Sequence, residues 1–363
     1  MLILCVFNLY ITFIYVSIII AYKIVNRKGV TMDEILVEEY RGELLECVHR
    51  GYICCVNEDG EVVYSIGDPE FVTYMRSSAK PIQAIPLIKR GLDTKYNLSD
   101  KEITVMTGSH RAEPFHIKAL ESIMDKVRVE EEELICLPTY PLSMNAKEKI
   151  LRCQENKRRI YHNCSGKHMG ILTLCTDMNC DKKEYWNINS PAQQEILSHI
   201  SLISGYPIDQ IKIGTDGCGV PVFAMPMKNL AMTYMTMVCP DTIKDELTRN
   251  AVIKLTKLMN ENYEMVSGTD LICSLLLQDN NIVAKGGAKG VYCFGLKKER
   301  LGFSIKVIDG SEEEWPLIVA SILEQINYKN RDTIDRLKKV FPRVIVNDNN
   351  KIVGESIVKF KLK

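Results

Sequence analysis

Five short segments of the chain contain side chains that together could hydrolyse an amide bond. They combine serines, lysines, cysteines and histidines with neighbouring glycines. In chain order they are Arg76-Ser77-Ser78-Ala79-Lys80, Gly108-Ser109-His110, Asn163-Cys164-Ser165-Gly166-Lys167-His168, Asp216-Gly217-Cys218-Gly219 and Lys285-Gly286-Gly287-Ala288. A lysine amine that takes the proton of a serine hydroxyl makes the serine a nucleophile for a carbonyl carbon. The segments therefore indicate a hydrolase site with a possible metal beside it.

Ser77 and Lys80 are three residues apart, just before an apolar run that predicts a helix. On the first turn of a helix, side chains at this spacing share a face. A free lysine has a pKa of about 10.4, so burial or nearby cations such as Arg76 must lower the pKa before the amine can act as a base. Pro81 disfavours helical geometry at Lys80. The same Ser-x-x-Lys pattern also fits a solvated first turn with no catalytic role.

A second serine and a second lysine extend this pattern. Ser109 follows residues 103–106, which we predict as a strand, and loop residues at a strand end are often displayed in a site. Lys285 is predicted at a strand-to-loop junction, where it could activate this serine. Ser109 could equally be a turn or cap residue, and His110 and His116 are ambiguous in the same way.

Two glycine-bearing loops contain thiols that could hold a metal. Cys164 and Lys167 lie in the first loop, and Cys218 lies in the second, after residues 211–213, which read as a strand. Two thiolates and one further donor would make a three-ligand zinc site with an open position. The same cysteines could instead form a disulfide, include a nucleophile or be two inert thiols.

Composition limits the classes of function. Lys+Arg and Asp+Glu number 46 each, so there is no overall positive field for a nucleic acid or an anionic lipid surface. The 13 cysteines are an odd number without the spacing of a disulfide framework. They favour a reducing compartment, and we expect a cytoplasmic protein without a nucleic-acid partner.

The first 31 residues are a hydrophobic leader with three interpretations. Residues 1–22 carry no charge and are long enough to span a bilayer, and Lys23, Arg27 and Lys28 follow. As a signal anchor, the leader would leave the remaining chain on the cytoplasmic side of a membrane. Alternatively, Met32 is the true start. A secretory signal peptide fits least, because there is no basic segment before the apolar run.

Residues 32–363 read as a single mixed α/β (α+β) catalytic domain with an antiparallel sheet and packed helices. Turn-forming residues predict three hairpins, whose strand pairs are 52–56 with 62–65, 275–277 with 282–284, and 344–346 with 352–353. Ser190-Pro191-Ala192-Gln193 predicts a helix start, and Gly205 predicts its end. Ser311 with Glu314 predicts the start of a second helix.

Taken together, these segments resemble the asparaginase II family, the Rhizobium-type (thermolabile) class of bacterial L-asparaginases. The match runs in order from Leu36 to Phe360 and includes R-S-x-x-K-P-x-Q, S-H, N-C-S-G-K-H, D-G-C-G and K-x-G-A-x-G, followed by a terminal segment at 346–355. The chain departs from the family at Lys289, where the family usually has Glu. It also departs at residues 111–113, where small residues are usual.

The resemblance implies a fold related to serine β-lactamases and glutaminases, a homodimer, and hydrolysis of L-asparagine to L-aspartate and ammonia. It implies Ser77 as the nucleophile with Lys80 as its partner, and Ser109 with Lys285 as a second pair. Zinc, with water completing its shell, would be bound by Cys164, Lys167 and Cys218. The charged ends of the substrate would be held by Arg76, His168 and Asp216.

Two other functions remain open from the sequence. The Ser-x-x-Lys pattern also marks serine hydrolases of lactams and peptides, but the K-T-G and S-D-N elements expected there are absent. A zinc- or amino-acid-binding protein without catalysis is the alternative from another class. A preference for asparagine over glutamine depends on one methylene and does not follow from these residues.

Overall fold

The computed structural model describes residues 33–363, so the predicted leader lies outside the described residues. The strands are β1 (Glu34–Arg41), β2 (Leu44–Val56), β3 (Val62–Ile66), β4 (Val72–Tyr74), β5 (Lys212–Thr215), β6 (Pro221–Pro226), β7 (Ile282–Gly286), β8 (Val291–Leu296), β9 (Leu301–Val307), β10 (Val344–Val346) and β11 (Ile352–Val358). Eight of them form one sheet in the order β10-β11-β1-β2-β9-β8-β7, with β3 paired to β2. A second sheet has the order β4-β6-β5. All of these pairs are antiparallel.

Helices connect and cover the two sheets. The α-helices are α1 (Lys80–Lys89), α2 (Leu92–Lys95), α3 (Asp100–Met106), α4 (Pro114–Val127), α5 (Met144–Arg152), α6 (Ser165–Asp177), α7 (Pro191–Ser204), α8 (Met227–Val238), α9 (Glu246–Glu261), α10 (Ile272–Leu277), α11 (Trp315–Gln325) and α12 (Arg331–Val340). Short 3-10 turns lie at Arg76–Ala79, Glu131–Glu133, Arg159–Tyr161, Lys182–Glu184, Pro240–Thr242 and Tyr263–Val266. Within residues 33–363, no helix is both long and apolar enough to cross a bilayer.

The predicted class, antiparallel sheet with packed helices, is confirmed, and two of the three hairpins form as predicted. These are β2 with β3 and β10 with β11. The third prediction is wrong, because residues 275–277 belong to α10 and β7 pairs with β8 instead. Residues 103–106 are likewise helical, in α3. A short apolar run alone does not distinguish a buried helix from a strand.

Helix ends show which local signals were reliable. At α7, the Ser190 hydroxyl accepts the Gln193 N–H and Gly205 adopts φ 62°, so both predicted ends are confirmed. The predicted start at Ser311 is wrong, because α11 begins at Trp315. A helix starting right after Ser311 would place Pro316 in its second turn, where proline removes a hydrogen bond and its ring clashes with the preceding turn.

Helix α8 packs closely on the large sheet because two glycines lie opposite each other on adjacent strands. Gly295 on β8 pairs with Gly302 on β9. A Cβ at Gly295 would lie 2.5 Å from the Tyr234 carbonyl oxygen, and one at Gly302 would overlap the Ala231 carbonyl oxygen. From this position the Tyr234 hydroxyl donates a 2.8 Å hydrogen bond to the carbonyl oxygen of Ser78. The sheet thereby fixes the segment that contains Ser77.

We predict that Gly302→Ala lowers the free energy of unfolding by at least about 1–3 kcal/mol, the usual cost of overpacking a core. The added methyl group would meet helix backbone, which cannot move aside as a side chain can. Urea denaturation measures the change. Gly217→Ala is the control, since a Cβ there meets nothing within 4 Å. Equal stability of the two variants would contradict this packing argument.

Candidate active site

The Ser77 segment is a 3-10 turn held in a strained conformation. Arg76 has φ 51°, a left-handed backbone angle that is uncommon for a non-glycine residue. Its Nε atom donates to Asp216 Oδ1 at 3.0 Å, and Nη2 forms an ion pair with the same oxygen at 2.8 Å. Asp216 reaches this position because β6 pairs with both β4 and β5, and the β5–β6 turn begins at Asp216. Strained residues held by such contacts cluster at functional sites.

Lys80 starts α1 with φ −58° and ψ −41°, so Pro81 does not prevent helical geometry here. Its side chain is only 1% exposed. The Nζ atom lies 2.8 Å from the Gly108 carbonyl oxygen, 3.1 Å from the Asn163 carbonyl oxygen and 2.9 Å from Ser109 Oγ. Burial lowers the pKa of this amine, although the neighbouring Cys164 opposes the shift.

These contacts fit either protonation state of the lysine, because an ammonium group can donate to all three oxygens and a neutral amine to two of them. A neutral amine has two N–H donors and one lone pair. If the two carbonyl groups accept the two donors, the lone pair faces the Ser109 hydroxyl. In this form Lys80 can receive a proton from that hydroxyl.

The observed partners of the two lysines differ from the pairing read from the sequence. Ser109 is hydrogen-bonded to Lys80, which the sequence paired with Ser77. The Ser77 hydroxyl, 8% exposed as a residue, makes no side-chain hydrogen bond to another residue of the described range. Lys285 Nζ donates to the Gly286 carbonyl oxygen at 2.6 Å.

Lys285 and Ser109 nevertheless face a common cavity of about 430 Å³. Burial lowers the pKa of Lys285 to about 8. The end of β7 approaches the Ser77 segment through Gly287, where a Cβ would lie 2.9 Å from the Met75 carbonyl oxygen. Lys289, the departure from the family pattern, is exposed to solvent. Of the two lysines, only the buried Lys285 is positioned to act in the cavity.

The three residues predicted to bind zinc lie together beside this segment. Lys167 Nζ lies 3.1 Å from Cys218 Sγ, and the Cys164 thiol is close enough to both for each of them to shift its pKa. All three side chains are buried. Two soft sulfur donors and an amine are a donor set that zinc accepts, with one position open. The residues present therefore fit the ion.

The charges of this cluster are linked. The nearby Cys218 side chain lowers the pKa of Cys164, with help from the Lys80 and Lys167 amines, and the same contact raises the pKa of Cys218. Cys164 is therefore the thiol of the pair that ionises more readily. Burial alone would lower the pKa of Lys167, but the adjacent sulfurs raise it overall. A metal ion would have to displace the proton of Lys167 before the amine could bind it.

His168 presents a buried donor next to this cluster. Tyr185 OH accepts the Ile135 N–H at 2.8 Å, so it donates its own proton to His168 Nδ1 at 2.6 Å. Burial holds the pKa of His168 well below its usual value, so the ring is neutral. Nε2 then carries the ring proton, and it has no hydrogen-bond partner among the described residues.

The other two histidines considered from the sequence have structural contacts. His110 Nδ1 accepts the Ala112 N–H, which places the ring proton on Nε2, 2.8 Å from Ser165 Oγ. His116 Nδ1 likewise accepts the Glu113 N–H, and Nε2 donates to the Glu264 carbonyl oxygen. Both rings therefore have their hydrogen bonds satisfied.

Arg111 is a candidate binding residue that the sequence reading did not identify. It lines the cavity shared by Ser109 and Lys285. Its Nε atom is buried without a hydrogen-bond partner, and its guanidinium forms no ion pair within residues 33–363. Its position directly after Ser109-His110 was visible in the sequence, but a loop arginine alone does not reveal whether an acidic neighbour neutralises it.

The sequence profile described as L-asparaginase II matches residues 37–358. The chain belongs to the L-asparaginase II family. Members of this family are amidase-type hydrolases with small-molecule substrates, so the serines and lysines described above lie in an amidohydrolase. No curated protein sequence matches the chain significantly.

Two solved structures similar to this member of the family are described as a putative beta-lactamase and a glutaminase. The first, from Bacteroides dorei, has a TM-score of 0.44 and 13% identity and covers 76% of this chain and 93% of its own. The second, a Bacillus glutaminase, has a TM-score of 0.36 and 12% identity, with 77% and 92% covered.

Proposed function

We propose that this protein is an L-asparagine amidohydrolase that releases L-aspartate and ammonia through a serine nucleophile and neutral lysine bases. The observation that carries the proposal is the buried Lys80 amine, which contacts two carbonyl oxygens and the Ser109 hydroxyl, so that in the neutral form its lone pair is directed at that hydroxyl. Family membership supports the amide as the bond that is cleaved.

In this proposal the Ser77 oxygen attacks the side-chain amide carbon of asparagine. The Ser77 proton reaches Lys80 through the Ser109 hydroxyl, which is hydrogen-bonded to the amine, and Lys285 takes part in the relay from the cavity that it shares with Ser109. When the C–N bond breaks, the nitrogen takes a proton and leaves as ammonia, with the aspartyl group as an ester on Ser77. Water then attacks the ester, and the bond to Ser77 breaks to release aspartate.

Arg111 is the group best suited to the substrate carboxylate at the α-carbon. Its charge is unpaired within the described residues, and it lines the same cavity as Ser109 and Lys285. Arg76 and Asp216, predicted for this task, form an ion pair with each other, so we assign them to holding the Ser77 segment. His168 offers its Nε2 proton to a ligand.

Zinc belongs to the same proposal, bound by Cys164, Lys167 and Cys218. When bound, it would act as a Lewis acid that polarises a carbonyl oxygen or positions the substrate. Asp216 connects the two parts of the site, because Oδ1 binds Arg76 while Oδ2 lies 3.9 Å from Lys167 Nζ. Asp216 therefore contacts both the Ser77 segment and the thiol cluster.

Ser109 is the second candidate for the nucleophile, favoured by its 2.9 Å hydrogen bond to Lys80. In that case Lys80 would activate Ser109 directly and Ser77 would orient the substrate. The chemistry is otherwise unchanged. The homodimer, the cytoplasmic location and the single catalytic domain from residue 32 stay predictions from the sequence.

We predict that Ser77→Ala lowers kcat for ammonia release from L-asparagine by at least about 1,000-fold, since loss of a nucleophile leaves only binding and oxyanion stabilisation. Ser109→Ala should lower kcat less, because water can occupy a relay position. Near-UV circular dichroism controls for folding. A larger loss of kcat in Ser109→Ala than in Ser77→Ala would identify Ser109 as the nucleophile. Near-native kcat in both variants would exclude the mechanism.

We also predict that kcat rises with pH and reaches half of its maximum near pH 8. The pKa of Lys285 is lowered to about 8, and only the neutral amine, which predominates above the pKa, accepts a proton. Because kcat reports the enzyme–substrate complex, ionisation of free asparagine does not enter. Lys289→Gln, which alters an exposed lysine nearby, should keep the same profile. A kcat that is constant or falls across this range would exclude a neutral-lysine base.

A further inference from the structure

A group of metal-ligand side chains lies on the β1–β2 hairpin, outside the site proposed for asparagine. We call Glu39, Cys47, His49 and Glu314 the hairpin cluster. Glu39 on β1 is directly opposite Cys47 on β2, and His49 is two residues further along β2. Alternate residues of a strand point to the same face. As a result, the ligand atoms of Glu39, Cys47 and His49 lie within 4.8 Å of one another.

A carboxylate behind His49 orients its ring. Asp309 Oδ2 lies 2.7 Å from His49 Nδ1, so the imidazole proton on Nδ1 is donated to this carboxylate. The lone pair of Nε2 then points the other way, into the cluster. Metal-bound histidines almost always have such a hydrogen bond from the second ring nitrogen, because it fixes the tautomer and the ring orientation.

The atoms that face Nε2 are acceptors. Glu314 Oε1 lies 3.3 Å from Nε2 and Glu39 Oε2 lies 4.0 Å from it. Neither Nε2 nor Glu314 Oε2 has a hydrogen-bond partner in the described part of the chain, although Glu314 is only 4% exposed. Buried polar groups normally have partners, so this arrangement points to a ligand between them.

The local charge favours a cation. Three carboxylates, those of Glu39, Asp309 and Glu314, surround one imidazole, and no lysine or arginine of residues 33–363 forms an ion pair with any of them. A cation between these groups would balance the negative charge of the carboxylates.

We propose that the hairpin cluster is a zinc-binding site, with Glu39, Cys47, His49 and Glu314 as ligands and Asp309 as the positioning residue. Thiolate, imidazole and carboxylate donors together suit Zn²⁺ better than Mg²⁺ or Ca²⁺, which prefer oxygen alone. The ligand atoms of Glu39, Cys47 and His49 are grouped within 4.8 Å, and Glu314 approaches them from the His49 side.

The position of Glu314 connects the hairpin cluster to the cavity that contains Ser109 and Lys285. It directly precedes α11, and its neighbours Glu313 and Trp315 line the cavity that contains Ser109 and Lys285. A metal ion held by Glu314 and the hairpin would therefore brace one wall of that cavity. A second cavity, of about 340 Å³, is lined by Glu39, Glu314 and Ser356 and gives an ion access.

The test counts zinc bound to the full-length protein. Metal-stripped protein is dialysed against Zn²⁺, and bound metal is measured in the wild type, Cys47→Ala, His49→Ala and Cys153→Ala. Cys153 is also exposed but belongs to no group of metal ligands within the described residues, so it controls for loss of a surface thiol. Cys47→Ala and His49→Ala should each bind one equivalent less than the wild type, and Cys153→Ala should match it.

Two further measurements separate a site from surface binding. Zn²⁺ should raise the Tm of the wild type more than that of Cys47→Ala, since a ligand of the native state stabilises it. Asp309→Asn should weaken zinc binding by about 10- to 100-fold, the usual effect of losing the carboxylate behind a metal-bound histidine.

Equal zinc content in the wild type and Cys47→Ala would overturn the proposal, as would an equal loss in Cys153→Ala. Cys47 is exposed, so its variant decides the result even if His49→Ala does not fold. The comparison is a difference between variants. It therefore gives the same answer whether or not Cys164, Lys167 and Cys218 bind a zinc ion of their own.

Discussion

The site depends on one buried amine. Lys80 Nζ is held by carbonyl oxygens from two separate segments and by the Ser109 hydroxyl, so it joins the start of α1 to the loops after α3 and before α6. Burial would be costly without these partners. Burial also lowers the pKa of the amine, so the packing of these three segments around Lys80 also favours its action as a base.

The two sheets place the remaining groups around this amine. The small sheet puts Arg76 and Asp216 side by side although 140 residues separate them in the chain. The large sheet supports α8 against paired glycines, and Tyr234 of this helix holds the Ser78 carbonyl. Strand β7 ends at Gly286, which places Lys285 at the wall of the cavity. Each motif is thus positioned by a contact between elements distant in sequence.

Local patterns predicted the parts of this structure that depend on neighbouring residues. Turn residues located the β2–β3 and β10–β11 hairpins, and Ser190 with Gly205 located both ends of α7. Residues 103–106 were misread as a strand, although Ser99 and Glu102 form a capping box that marks α3 as a helix.

Partners distant in the chain could not be read in this way. Motif order placed Ser109 and Lys80 in one site, but their direct hydrogen bond depends on how α3 packs against α1. The free guanidinium of Arg111 depends equally on its surroundings. At the hairpin, strand alternation alone would align Cys47 with His49, whereas Asp309 and Glu314 join them only through the fold.

Cleavage of asparagine through an ester on Ser77 would leave a covalent intermediate on the enzyme. Acid quenching during turnover of L-asparagine, followed by peptide mass spectrometry, detects such an ester directly. We expect an aspartyl group on the peptide that contains Ser77, absent when substrate is omitted. An aspartyl group on Ser109 or on Cys164 instead would exclude Ser77 as the nucleophile.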